Sequence, residues 1–115
     1  MTLFAGKYRG KGEAVTINTA GEKEKVIIRS VMKITQESET IYNIDLKNEI
    51  TSAEGKIFHE NFTTLFIKMD KVLYSGAAGY DVFYFDKKDN LVHSFTQIYS
   101  QLTGSYAATI IYRKK

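Results

Sequence analysis

The feature that most constrains this chain is an alternation of apolar and polar residues with a period of two, repeatedly interrupted by turn residues. In residues 25–36, for example, Val26, Ile28 and Met32 share one face, and the basic side chains fall on the other. No segment shows the spacing of an amphipathic helix. The alternation therefore predicts an all-β fold whose strands each bury one face.

The turn clusters divide the chain into about eight to nine strands joined by short connections. Short connections favour antiparallel neighbours, because parallel strands need long crossovers. Residues 56–68 are consistent with one bent strand or two short ones, since Glu60 and Asn61 interrupt the apolar pattern there. The predicted strands are residues 7–17, 25–36, 40–47, 56–68, 71–75, 81–85, 91–101 and 105–113.

A length of 115 residues fits a single domain, 1–115, with one core. So many strands in one small domain form either a barrel or a sandwich. The first and last strands are long and alternate cleanly, which is expected if they pair with each other and remove both sheet edges. We therefore predict a small antiparallel up-and-down barrel, with a β-sandwich as the alternative.

Both ends of the chain show a resemblance to a known superfamily. Phe4-Ala5-Gly6-Lys7-Tyr8 resembles the opening of the calycins, which include lipocalins and fatty-acid-binding proteins, and residues 6–13 resemble the opening of haem-binding nitrobindin-like barrels. The resemblance implies a calycin-like barrel with Tyr8 inside and an interior that holds a ligand. It also implies that Arg113, late in the last strand, crosses the barrel end near that aromatic ring.

The candidate ligand-binding residues are those that the alternation directs into the barrel. Gly10 and Gly12 are small, and would either leave space for a ligand or let the strand bend. The other candidates combine apolar surface with hydroxyl groups that could orient a ligand. The complete predicted set is Gly10, Gly12, Ser30, Met32, Tyr42, Tyr84, Phe95, Tyr99 and Tyr106.

The sequence contains no catalytic or metal-binding motif that we recognise. There is no Cys, which excludes thiolate sites and disulfides. The two histidines, His59 and His93, match no haem-ligand motif, so we expect no cofactor, with haem as the alternative. A lone histidine in a strand is usually a surface residue or a satisfied one. The carboxylates lie mostly in predicted turns or on charged faces, and none form a pair placed for acid–base catalysis.

The net charge and the start of the given chain allow predictions about the binding partners and the cellular compartment of the protein. The net charge of +3 is modest and its basic residues are interleaved with acidic ones, so we expect no nucleic-acid partner. No run is apolar enough for a membrane helix. The given chain begins without a signal-peptide pattern, which slightly favours the cytoplasm.

Three functions fit these features. The leading hypothesis is a non-enzymatic protein that binds a small apolar or amphipathic molecule in the barrel interior. The second is an interaction module or homodimer that uses the barrel wall, where Ile27, Val31 and Ile111 face outward. The third is a small isomerase or decarboxylase, which requires a histidine or carboxylate inside the barrel beside a tyrosine.

Overall fold

The computed structural model describes residues 4–17, 21–75, 79–98 and 105–114. These residues form one closed antiparallel barrel of eight strands, in which neighbours in the sheet are neighbours in the chain. The prediction of an up-and-down barrel is therefore confirmed, and the sandwich is excluded. The strands are β1 (Gly6–Ile17), β2 (Lys23–Gln36), β3 (Ile41–Thr51), β4 (Ile57–Met69), β5 (Val72–Ser75), β6 (Gly79–Phe85), β7 (Leu91–Ile98) and β8 (Ser105–Lys114).

The barrel closes where the first strand meets the last. β1 and β8 pair over their length, from Tyr8 opposite Lys114 to Ile17 opposite Ser105. This pairing removes the two edges that an open sheet would expose, as the sequence predicts. β4 is one continuous strand, so the alternative of two short strands is wrong.

Alternating side chains from all eight strands point into the interior. Tyr8 is only 1% exposed, as predicted, and its hydroxyl donates a hydrogen bond to the backbone carbonyl of Phe4 at 2.7 Å. The Phe4 ring packs against Tyr42 and Phe85, with ring centroids 5.9 and 5.1 Å away. The largest fully buried side chains are those of Tyr8, Tyr42, Tyr112, Phe66, Phe83, Met32, Ile34, Ile44, Leu46, Leu73, Leu91 and Ile110.

The prediction that Gly10 and Gly12 leave space for a ligand is wrong, because neighbouring atoms occupy the positions that their side chains would take. A Cβ atom at Gly10 would lie 2.5 Å from Cδ2 of Tyr112. At Gly12 it would lie 2.2 Å from the backbone oxygen of Thr109. The glycines instead allow β8 and the Tyr112 ring to approach β1 closely.

Arg113 does not take the position that the calycin resemblance implies. It is exposed on the outer wall, opposite Arg9 in the pairing of β1 with β8. The next residue, Lys114, lies over the ring of Tyr8 instead, with Nζ 5.9 Å from the ring centroid. The strand register accounts for the difference, because adjacent residues of a strand point to opposite faces.

Candidate functional site

Most of the predicted ligand-binding residues face the interior. Gly10, Ser30, Met32, Tyr42 and Phe95 are buried, and Gly12 is half-buried. Tyr99 lies outside the described residues. The backbone of Tyr106 belongs to β8, but its side chain is also outside what the structure describes.

The prediction that Tyr84 faces the interior is wrong, because its side chain points outward and is 39% exposed. The neighbouring Phe83 is fully buried instead, so Asp81 and Phe85 share the inner face with it. The sequence is ambiguous at this point because Val82 and Phe83 are both apolar and adjacent. Either residue could begin an inward row.

A buried hydrogen bond joins β8 and β2, the two strands that flank β1. The hydroxyl of Tyr112 on β8 donates a hydrogen bond to Oγ of Ser30 on β2, at 2.9 Å. The tyrosine ring reaches across β1 because Gly10, its neighbour in the sheet, has no side chain. Burial raises the pKa of Tyr112 above its ordinary range, so this hydroxyl stays protonated, and remains a donor, further into alkali than an exposed tyrosine.

A second polar pair joins a buried histidine to a half-buried carboxylate. His93 is 2% exposed, and its Nε2 pairs with Oδ1 of Asp81. The imidazole stacks between Phe83 and Phe95, with ring centroids 4.0 and 4.5 Å away. This pair places a histidine and a carboxylate in the interior, and the centroid of the histidine ring lies 6.4 Å from that of Tyr112.

The Asp81–His93 pair is not among the predictions from the sequence, because the carboxylates lie mostly in predicted turns or on charged faces. The signal that could have found it is the hairpin around residues 86–90. That turn sets Phe85 opposite Leu91, which places residue 83 opposite residue 93. Asp81 lies two residues further along β6, so it shares the face of Phe83 and falls diagonally across from His93.

Two polar atoms have no hydrogen-bond partner among the described protein residues. They are Oδ1 of Asn48 and Nδ1 of His93, both fully buried. Asn48, which is 5% exposed, is the cross-strand neighbour of Ser30 on one side and of Glu60 on the other. Because an unsatisfied buried polar group is costly, Asn48 and the neighbouring Tyr112–Ser30 pair form a polar centre whose hydrogen-bonding capacity is incomplete. Nδ1 of His93 is a separate unsatisfied atom.

The two histidines have different surroundings, and the haem alternative stays a prediction. His93 uses Nε2 for Asp81, and both faces of its ring are covered by phenylalanine. His59 is exposed on the outer wall. Among the described residues, no cluster of three or more His, Asp or Glu side chains could hold a metal ion.

The outward apolar residues of the second hypothesis do not form one patch. Val31 and Ile111 are 41% and 48% exposed, and Ile27 is half-buried. Basic residues of β1 lie between them, because Val31 is opposite Arg9 and Ile111 is opposite Lys11. The homodimer stays a prediction.

In the part of the chain that the structure describes, no helix could cross a membrane. Comparison of the sequence with protein-family models and with curated proteins, and of the fold with solved structures, finds no match for this chain.

Proposed function

We propose that this protein binds a small amphipathic molecule whose polar group is held by the buried polar centre around Asn48. The observation that carries the proposal is the buried Oδ1 atom of Asn48, which has no hydrogen-bond partner among the described protein residues. Native interiors satisfy nearly all of their polar groups, and a ligand is one source of the missing partners. The partial resemblance of residues 4–8 to calycins supports the same interior role.

The chemistry of the centre defines the ligand. The free acceptor of Asn48 calls for a hydrogen-bond donor, such as an N–H or O–H group. The remaining interior is apolar, so most of the molecule is apolar as well. Affinity would come from apolar burial, and the donor would fix the orientation.

The ligand reaches Asn48 from the end of the barrel at which β4 begins. The Tyr112 ring fills the space on the β1 side of Ser30. On the β4 side, Glu60 and Phe58 occupy the register positions that face inward, yet both are exposed. This end of the barrel therefore offers the shortest path from solvent to the polar centre.

The test begins with native mass spectrometry and an organic extract of the purified protein, where we expect a co-purifying small molecule. Affinity is then measured with N-phenyl-1-naphthylamine, an uncharged apolar probe with one N–H donor, whose fluorescence rises on burial. We expect the Asn48→Leu variant to bind it about tenfold more weakly, because the acceptor is lost. The same variant should raise the free energy of unfolding by about 1 kcal/mol, since it removes a buried unsatisfied group.

The matched control is Asn43→Leu, which changes the half-buried asparagine on the outer face of the same strand. It should leave probe affinity unchanged. The proposal fails if no molecule co-purifies and the probe binds neither the unaltered protein nor the control. It also fails if the two variants bind the probe equally well.

A further inference from the structure

A groove on the outer wall shares Gly10, Ser30 and Asn48 with the interior site, but its charged residues all lie on the outer face of the barrel. It has a volume of about 820 Å³ and runs across β8, β1, β2, β3 and β4. Its basic lining residues are Arg9, Lys11, Arg29, Lys47 and Arg113. Lys7 and Lys33 line an adjoining depression that shares Val31, Lys47 and Asn61 with the groove.

The register places like charges directly opposite one another along this face. Lys11 pairs with Arg29, and Lys7 pairs with Lys33, across β1 and β2. Arg9 pairs with Arg113 across β1 and β8. Like charges in directly opposite positions destabilise a sheet, so three such pairs on one face are a cost that the fold alone does not explain.

Acidic neighbours compensate only part of this charge. Oε1 of Glu49 lies 3.9 Å from Nη1 of Arg29, and both side chains are exposed to solvent. Asp45 is opposite Lys33 and also accepts a hydrogen bond from Thr63 at 2.7 Å. Neither Arg9 nor Lys11 has an acidic cross-strand neighbour. The centre of the groove therefore carries uncompensated positive charge.

We propose that this groove binds a small organic molecule that carries two or more phosphate groups. Guanidinium groups recognise phosphate through paired hydrogen bonds, and the groove contains three of them. Its volume lies in the range of small-molecule sites. Val31 and Ile111, which line the groove on either side of the β1 cations, add apolar surface for the carbon framework of the ligand.

The lining distinguishes this ligand from a nucleic-acid strand. Proteins that hold single strands stack the bases on aromatic side chains. Among the described residues that line the groove, none is Phe, Tyr or Trp, and His59 carries the one ring. The site therefore favours a compact polyanion over an extended strand of stacked bases.

The experiment uses inorganic tripolyphosphate as the probe and measures thermal unfolding and affinity by calorimetry at low and high salt. We expect the anion to raise Tm, and salt to weaken its binding. In the double variant Arg9→Gln/Arg113→Gln, binding should weaken about tenfold or more. Without the anion, Tm of this variant should be higher than that of the unaltered protein, because one like-charge pair is gone.

The charge-matched control is Lys71→Gln/Lys87→Gln, which removes two exposed cations outside the groove. It should retain the affinity for tripolyphosphate. The proposal is overturned if the control loses as much affinity as the groove variant, or if the anion does not raise Tm. It is also overturned if a single-stranded oligonucleotide binds the groove residues more tightly than tripolyphosphate, since the occupant would then be a nucleic acid.

Discussion

At the scale of single residues, the packing of the interior depends on the absence of a side chain at Gly10. Its missing side chain lets the Tyr112 ring lie against β1 and reach Ser30, which joins three strands through one hydrogen bond. The ring in turn occupies the space that a ligand would need beside this glycine. The polar centre consequently has its free acceptor on the β3 side, at Asn48.

Replacement of Gly10 by alanine tests this packing. The added methyl group would lie 2.5 and 2.8 Å from two atoms of the Tyr112 ring and 2.9 Å from the backbone oxygen of Ile111. We expect the free energy of unfolding to fall by about 1–3 kcal/mol, as for other overpacked cores. Urea denaturation measures the change.

The control for this prediction is a double-mutant cycle with Tyr112→Ala, which removes both clashing ring atoms. If the ring causes the clash, Gly10→Ala costs less in the protein that already carries Tyr112→Ala than in the unaltered protein. Equal losses in both backgrounds would contradict the explanation and assign the cost to the backbone of β8.

At the scale of elements, the shortest hairpin contains a strained turn. β4 and β5 are joined by Asp70 and Lys71, with Met69 paired to Val72. Asp70 has a φ of 57°, in the left-handed region that disfavours side chains. This turn sets the register of β5, which is only four residues long.

Asp70→Gly should therefore stabilise the hairpin. Relief of the left-handed strain outweighs the greater flexibility of glycine in the unfolded chain, so we expect a gain of about 0.5 kcal/mol in the free energy of unfolding. The neighbouring variant Lys71→Gly, where φ is not positive, should instead lose stability. Thermal melts of the two variants give opposite shifts in Tm if the argument holds, and a loss in both would contradict it.

At the scale of the whole molecule, the buried tyrosines predict a loss of stability in alkali. Burial raises the pKa of Tyr8 from its ordinary value of 10.0 to about 12, and it also raises the pKa of Tyr112. The unfolded chain therefore releases these protons first. The stabilisation is fully present below about pH 10 and is lost as the pH rises through the folded pKa values.

Urea denaturation between about pH 9 and about pH 12 measures this dependence. Tyr8→Phe should show a shallower alkaline decline, although it starts from lower stability because the bond to the Phe4 carbonyl is gone. Tyr84→Phe, which changes an exposed tyrosine, should follow the unaltered protein. Identical slopes in all three proteins would contradict the assignment.

Much of this fold follows from local pattern. The alternation in residues 25–36 directs Val26, Ile28 and Met32 inward, and the structure buries all three. The pattern works because successive side chains of a strand face opposite sides, whatever the strand pairs with. The number of strands, their antiparallel order and the closure by β1 and β8 are predictable from this rule and from the short turns.

What the tertiary structure alone decided is which residues meet across strands. Lys11, Arg29 and Arg113 are far apart in the sequence, and only the register gathers them on one wall. The sequence also does not determine whether Gly10 borders a cavity or a ring, or whether Asp81 contacts His93. The physical reason is that periodicity is local, whereas cross-strand pairing and the filling of space depend on residues far apart in the chain.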